Sequence, residues 1–307
     1  MNILVLGAKG FIGSHVVDRL TNTEHFVKAF FRSGDISNKN CTVIKGDFSD
    51  HAKLAEALVD VDLVVHCISS TVPSSSELDP VADIQSNLVN TLELLSLMQK
   101  MKVPKLIYLS SGGTVYGNPQ SSPVDEEHPL SPISCYGVVK VAIEKFLNIS
   151  DSIWGVSSLI LRPSNVFGEG QSHSGAQGII STLLKNSIQE RTTTIFGDGE
   201  SIRDYLYVKD LADLIAACVD FEKSSTYNAG CGVGMSVNQI IDVVKDISPA
   251  EVRVNYTPKR SFDVKEVVLD ISKVTEDFDW SPYRDFKASV NAQYVQLREV
   301  LTGSSAR

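Results

Sequence analysis

A short apolar run ending in a spaced glycine triplet constrains this chain most. Asn2–Leu6 is almost continuously apolar, Gly7, Gly10 and Gly13 follow, and Phe11–Leu20 has helical periodicity. An unalternating apolar run reads as a strand buried on both faces of a parallel sheet. Glycines between such a strand and a helix let the backbone turn tightly and approach a pyrophosphate, which rests on the helix N-terminus. A bare triplet would mark only a tight turn; its placement carries the functional reading.

Further apolar runs lie at Val27–Phe31, Val43–Lys45, Leu63–His66, Leu106–Leu109 and Ser158–Leu161. Helical stretches at His51–Leu58, Val81–Lys100 and Ser134–Asn148 separate most of them. Such alternation specifies an α/β fold built on a doubly wound parallel sheet. After Arg162 the pattern loosens. Helices are expected at Ala176–Ser187, Lys209–Val219, Ser236–Val244 (begun by a Ser cap) and Phe286–Leu301, with a tight turn at Gly197-Asp198-Gly199 and a basic loop at Pro258–Val264. The expected division is a dinucleotide-binding domain over 1–165, to which 204–225 returns. A smaller C-terminal α/β substrate-binding domain would cover 166–203 and 226–307.

Composition excludes several classes. Over 307 residues the chain is 43% hydrophobic and 21% charged, ordinary for a soluble globular protein. A net charge of −9 argues against a broad nucleic-acid or membrane surface, so an anionic ligand needs local positive groups. The cysteines (Cys41, Cys67, Cys135, Cys218, Cys231) form no CxxC pair, so reduced thiols are expected and neither a disulfide frame nor a metal site. No apolar run is long enough to span a bilayer, and the first strand begins without a basic leader. A cytoplasmic protein is the expectation.

Tyr136 and Lys140 are four apart, so on a helix they share one face. A tyrosine titrates near 10, and making one a base near neutral pH takes roughly 4 kcal/mol of differential stabilisation of its anion. A lysine ammonium alongside supplies stabilisation of that sign. A dinucleotide that accepts hydride is the natural partner of such a base, which suggests oxidation or reduction of an alcohol carbon. An ordinary amphipathic helix pair is the bland alternative.

Ribose recognition is less regular. An acidic residue usually ends the second strand to hold the adenosine ribose; here Phe31 and Arg32 stand there. Arg32 facing a 2′-phosphate would favour NADP; it could equally lie over the adenine ring, or be a solvated arginine after an edge strand. Asp47 and Phe48, after the third strand, are candidates for the adenine edge.

Taken in order, these residues resemble the extended short-chain dehydrogenase/reductases, within them the nucleotide-sugar epimerases and dehydratases of the UDP-glucose 4-epimerase type. The resemblance runs through the glycine loop, Ser110-Ser111-Gly112-Gly113-Thr114-Val115-Tyr116-Gly117 and Tyr136-x3-Lys140. It continues in Arg162-Pro163-Ser164-Asn165-Val166-Phe167-Gly168, Gly199–Tyr205 and Arg260-Ser261-Phe262-Asp263. It implies a Rossmann-type domain binding NAD through Gly7, Gly10, Phe11, Ile12, Gly13, Arg32, Asp47, Phe48, Tyr136 and Lys140. Tyr136 would take the proton of a sugar 4-hydroxyl as C4 loses hydride. Lys140 would assist it and bond the nicotinamide ribose. The 4-keto sugar would turn over and regain hydride on its other face.

The family places a Ser or Thr where this chain has Gly112, so Ser111, Thr114 or a water is left to bond the reacting oxygen. Asn165, Arg203 and Arg260 match the residues that hold the UDP diphosphate, and Asp263 matches one on the uridine ribose. At the position where relatives use an aromatic to exclude N-acetylated sugars stands Val267, which either leaves room or packs the core. UDP-glucose/galactose, N-acetylhexosamine and uronate pairs all stay open. Gly113-Thr114 replaces the acidic pair a 4,6-dehydratase needs. The alternatives are an NAD(P)-dependent nucleotide-sugar reductase, decarboxylase or, less favoured, dehydratase, and a dinucleotide-sensing interaction protein without catalysis. Family members commonly dimerise through the helices matching Val81–Lys100 and Ser134–Asn148, so a homodimer is expected.

Overall fold

The computed structural model of the protein describes residues 1–36, 38, 40–71, 73–171, 178–259 and 264–303. The first half alternates as its sequence requires: β1 (Asn2–Leu6), α1 (Phe11–Leu20), β2 (Phe26–Phe31), β3 (Thr42–Lys45), α2 (His51–Ala57) and β4 (Leu63–His66). Next come α3 (Pro73–Ser76), α4 (Pro80–Asp83), a π-helical segment (Ile84–Val89), α5 (Asn90–Met101), β5 (Lys105–Leu109), α6 (Cys135–Leu147), α7 (Ser150–Trp154) and β6 (Ser157–Pro163). The second half holds β7 (Asn165–Phe167), α8 (Ile179–Ile188), β8 (Thr193–Phe196), β9 (Ile202–Tyr207), α9 (Val208–Ala217) and β10 (Ser225–Ala229). It ends with β11 (Gly234–Ser236), α10 (Val237–Ile247), β12 (Val254–Thr257), β13 (Glu266–Val267), α11 (Ser272–Phe278) and α12 (Phe286–Gly303).

The large sheet has the order β10-β6-β5-β4-β1-β2-β3, and every pairing in it is parallel. β1 and β4 meet at its centre, with Ile3, Leu4, Val5 and Leu6 all inaccessible to solvent. One face packs against α1 and α9, the other against α2, α5 and α6, giving two apolar cores on opposite sides of the sheet. β1 is unalternating because both its faces are buried. A smaller sheet joins β11, β9 and β13, with β7 added to β9, and β8 pairs with β12. β10 belongs to the large sheet although the expected returning segment stopped at 225.

One element departs from expectation. The span 81–100, read as one helix, is broken into α4, the π-helical segment and α5. The buried polar residues decide this. Asp83 takes hydrogen bonds from Thr71, Ser76 and Asn87, and Asn87 Oδ1 accepts from Ser70 N at 2.9 Å. The wider turn carries these groups to the loop after β4, as π-bulges near functional sites often do. In the second half Ser236 caps α10 through a full capping box with Gln239.

Candidate functional site

The site is built where the sheet's central strands end. Gly7 has φ +78°, a conformation L side chains rarely adopt, and its N–H and that of Ala8 both bond Phe30 O. A Cβ on Gly13 would lie 2.1 Å from Gly7 O, so only glycine lets α1 close on the loop. The opening N–H groups of α1, those of Phe11 and Ile12 among them, precede any intrahelical partner and face outward at a positive helix end. That is a cradle for a pyrophosphate.

At the ends of β2 and β3, Arg32 and Asp47 approach to 4.0 Å, both substantially exposed. Asp47 Oδ1 accepts from Ser49 N and Oγ at 3.0 and 2.6 Å, and these bonds hold its carboxyl below the usual range. Phe48 is buried, edge-on to His66 at 5.0 Å, so its side chain supports the loop from inside the core.

Ser134 caps α6 by accepting from Gly137 N, which starts the helix one residue before Tyr136. Tyr136 and Lys140 share a face as their spacing requires, with Lys140 Nζ 5.6 Å from the Tyr136 ring centre. The ammonium is buried, donating to Tyr108 Oη at 3.1 Å and Leu109 O at 2.9 Å. Burial works against the charge, but the Tyr108 and Tyr136 hydroxyls outweigh it and raise the Lys140 pKa above its ordinary value.

Gly112 is closed to any side chain: a Cβ there would lie 2.6 Å from Leu269 Cδ1 and 2.8 Å from Arg162 O. A hydroxyl at that position cannot be accommodated with this backbone. Ser111 is half-buried, and Thr114 carries a buried Oγ1 with no hydrogen-bond partner among the described residues. Among the described residues, a Cβ on Gly113 would by contrast meet only Asn165 Oδ1, at 3.9 Å.

The substrate-end candidates separate. Asn165 and Arg203 line one cleft with Ile179, Phe196, Tyr205 and Val237. Asn165 Nδ2 donates to Asp204 O at 2.9 Å; Arg203 donates to Ile202 O and Val264 O at 2.7 and 2.6 Å. Arg260 and Asp263 lie outside the described residues, as does most of the basic loop. Val267 is buried in a cluster with Val115, Tyr116, Val124 and Leu269, which accords with core packing at this position.

The site also contains residues to which the sequence reading gave no role. Phe196 and Tyr205 supply aromatic walls of the cleft. Asp204, fully buried, accepts from Cys231 N, Gly232 N and Leu269 N at 2.7, 3.0 and 3.3 Å, and burial raises its pKa. His66 and Tyr108 stand side by side on β4 and β5 beneath Lys140. The apolar strand pattern hid the last two, because both sit at positions that read as core. Among the described residues no group of three His, Cys, Asp or Glu could hold a metal ion.

A model of the NAD dependent epimerase/dehydratase family matches residues 3–230. A putative UDP-glucose 4-epimerase of Methanocaldococcus jannaschii is 34% identical over 294 residues, 94% of this chain and 95% of that protein. The crystal structure of UDP-glucose 4-epimerase from Thermotoga maritima with UDP-glucose has a TM-score of 0.92 at 30% identity, covering 98% of this chain and all of that one. UDP-N-acetylglucosamine 4-epimerase from Methanobrevibacter ruminantium, in complex with UDP-N-acetylmuramic acid, gives a TM-score of 0.90 at 28% identity, with 96% and 97% covered. Since the matched span runs from the first strand through the glycine loop and the Tyr136–Lys140 helix to the last strand of the large sheet, the chain belongs to the NAD-dependent epimerase/dehydratase family.

Proposed function

We propose that the protein is an NAD-dependent epimerase that inverts C4 of a UDP-sugar through a 4-keto sugar. The observation that carries this is the buried Lys140 ammonium held against the Tyr136 ring at the end of the sheet that bears the glycine loop. The cradle at Gly7 and Gly13, which a Cβ would fill, fits a dinucleotide pyrophosphate, supported by the N-terminus of α1. Bound NAD supplies the acceptor, and then the donor, of the C4 hydride. Tyr136 takes the 4-hydroxyl proton and later returns it. Lys140 favours the anion this requires and keeps one N–H for the nicotinamide ribose. Ser111 or Thr114 bonds the reacting oxygen.

Asn165 and Arg203 hold the diphosphate end, and Phe196 and Tyr205 wall the uridine, with Arg260 and Asp263 as further candidates by resemblance. A guanidinium suits this task in an acidic chain, because its planar fork matches phosphate oxygens. The relatives' UDP-glucose and UDP-N-acetylmuramic acid complexes support a UDP-sugar and leave the C2 substituent open. Residues 1–165 with 204–225 would bind the dinucleotide and the remainder the sugar nucleotide.

A cytoplasmic homodimer completes the proposal. Val81, Val138, Phe146, Ile149 and Ile153 are exposed on α4, α6, α7 and the turn between the last two, and pairing would cover them. No helix among the described residues is long and apolar enough to cross a membrane. The test is incubation of purified protein with a panel of UDP-sugars and no added cofactor, followed by NMR. C4 inversion with retained NAD is expected; no inversion of any UDP-sugar would sink the reading, and sedimentation gives the oligomeric state.

A further inference from the structure

Lys140 is gripped by β5 more closely than its expected role requires. Its ammonium has three N–H donors. Two are used inside the protein, on Tyr108 Oη and on the carbonyl of the next residue, Leu109. Nζ also stands 4.8 Å from the Tyr108 ring centre and 5.6 Å from that of Tyr136, so two aromatic rings flank the charge.

Tyr108 cannot swing away. It is 1% exposed, and His66, its register partner on β4, meets its ring edge-on at 5.3 Å. His66 is fixed in turn. Its Nδ1 accepts from Ile68 N, so Nε2 carries the proton and bonds Thr91 Oγ1 at 3.2 Å. Thr91 donates to Asn87 O within the π-helical segment. A chain of buried contacts thus runs from the wide helical turn through His66 and Tyr108 to Lys140.

We propose that Tyr108 is a positioning residue for the proton transfer: its phenol oxygen and Leu109 O fix the Lys140 ammonium so that its third N–H points out of the protein, beside Tyr136. This deepens the epimerase reading and rests on it. Burial pushes the Tyr108 hydroxyl up to about 12, so it stays a neutral acceptor across the working pH range. The other titratable groups around Lys140 are His66 and Cys67 at the end of β4, Asp83 on α4, and Tyr136 and Glu144 on its own helix, Glu144 being paired with Arg162. His66 is neutral, so Tyr108 is the group on β5 that can alter the ammonium without adding a charge.

The test is Tyr108→Phe, which keeps the ring beside the ammonium and deletes only the acceptor. We expect kcat to fall about 10-fold with KM for the UDP-sugar within about twofold, and the acid limb of the kcat profile to move up about one pH unit. In protein labelled at lysine nitrogen, the Lys140 ammonium of the parent chain should give a slowly exchanging proton signal, and Tyr108→Phe should speed that exchange. This second readout needs no turnover. A parent chain without epimerase activity would sink the functional reading and still report on the Lys140 grip. An unchanged exchange rate, or a fall in kcat with no movement of the pH limb, would overturn the proposal.

Discussion

Arg162 on β6 and Glu144 on α6 form a buried ion pair, Nη2 to Oε2 2.7 Å, with side chains only 5% and 1% exposed. Ser110 Oγ also donates to Glu144, and Arg162 Nη1 donates to Tyr116 Oη at 2.9 Å. The pair ties the helix bearing Tyr136 and Lys140 to strands β5 and β6. Removing one partner of such a pair leaves an uncompensated buried charge, typically at a cost of about 3–5 kcal/mol. Glu144→Gln should therefore lose about that much stability in urea unfolding. A loss under about 1 kcal/mol would mean the pair is incidental.

Gly13→Ala tests the cradle. A Cβ 2.1 Å from Gly7 O forces the loop open. Overpacking of this kind costs about 1–3 kcal/mol, and a loss of that size in the nucleotide complex is about 5- to 150-fold in affinity. The purified variant should carry little nucleotide, measured by release and quantification of NAD. Full retention would place the cofactor elsewhere.

Tyr136→Phe removes the proposed base and should lower kcat by about 10²- to 10⁴-fold, with the fold intact by circular dichroism. Ser111→Ala should slow turnover more modestly. If Ser111→Ala turns over at the parent rate, the hydroxyl contact passes to Thr114, whose buried Oγ1 has no partner among the described residues, or to solvent.

His66 makes stability depend on acid. Burial first, then the Lys140 charge, hold its pKa down to about 3. Unfolded histidine titrates near 6.5, so above that pH the group brings no penalty. Below it the unfolded chain binds a proton that the folded chain refuses, until about pH 3. Stability should fall with a slope of up to about 1.4 kcal/mol per pH unit from this residue alone. His66→Gln should be less stable at pH 7, and its deficit should narrow by about 2–3 kcal/mol between pH 6.5 and 4.5. Parallel unfolding curves across that range would contradict the assignment.

Much of the frame is written along the chain. β1, α1 and β4 occupy the spans their apolar patterns predict, because a doubly buried parallel strand cannot hide its composition. Ser236 announces α10 by capping, and positive φ at Gly197 and Gly199 makes the expected turn. The break in the 81–100 helix was not legible, since its cause is a set of partners, Ser70, Thr71 and Ser76, that only folding brings to Asp83 and Asn87.

The sequence by itself determined the alternating fold, the glycine cradle and the shared face of Tyr136 and Lys140, all consequences of local periodicity and backbone sterics. Only the tertiary structure decided that Gly112 is shut by Leu269, that Val267 belongs to the core, and that Tyr108 and His66 stand under the lysine. Those facts depend on contacts between strands distant in the chain, where burial and hydrogen-bond geometry, absent from any short window of residues, select the outcome.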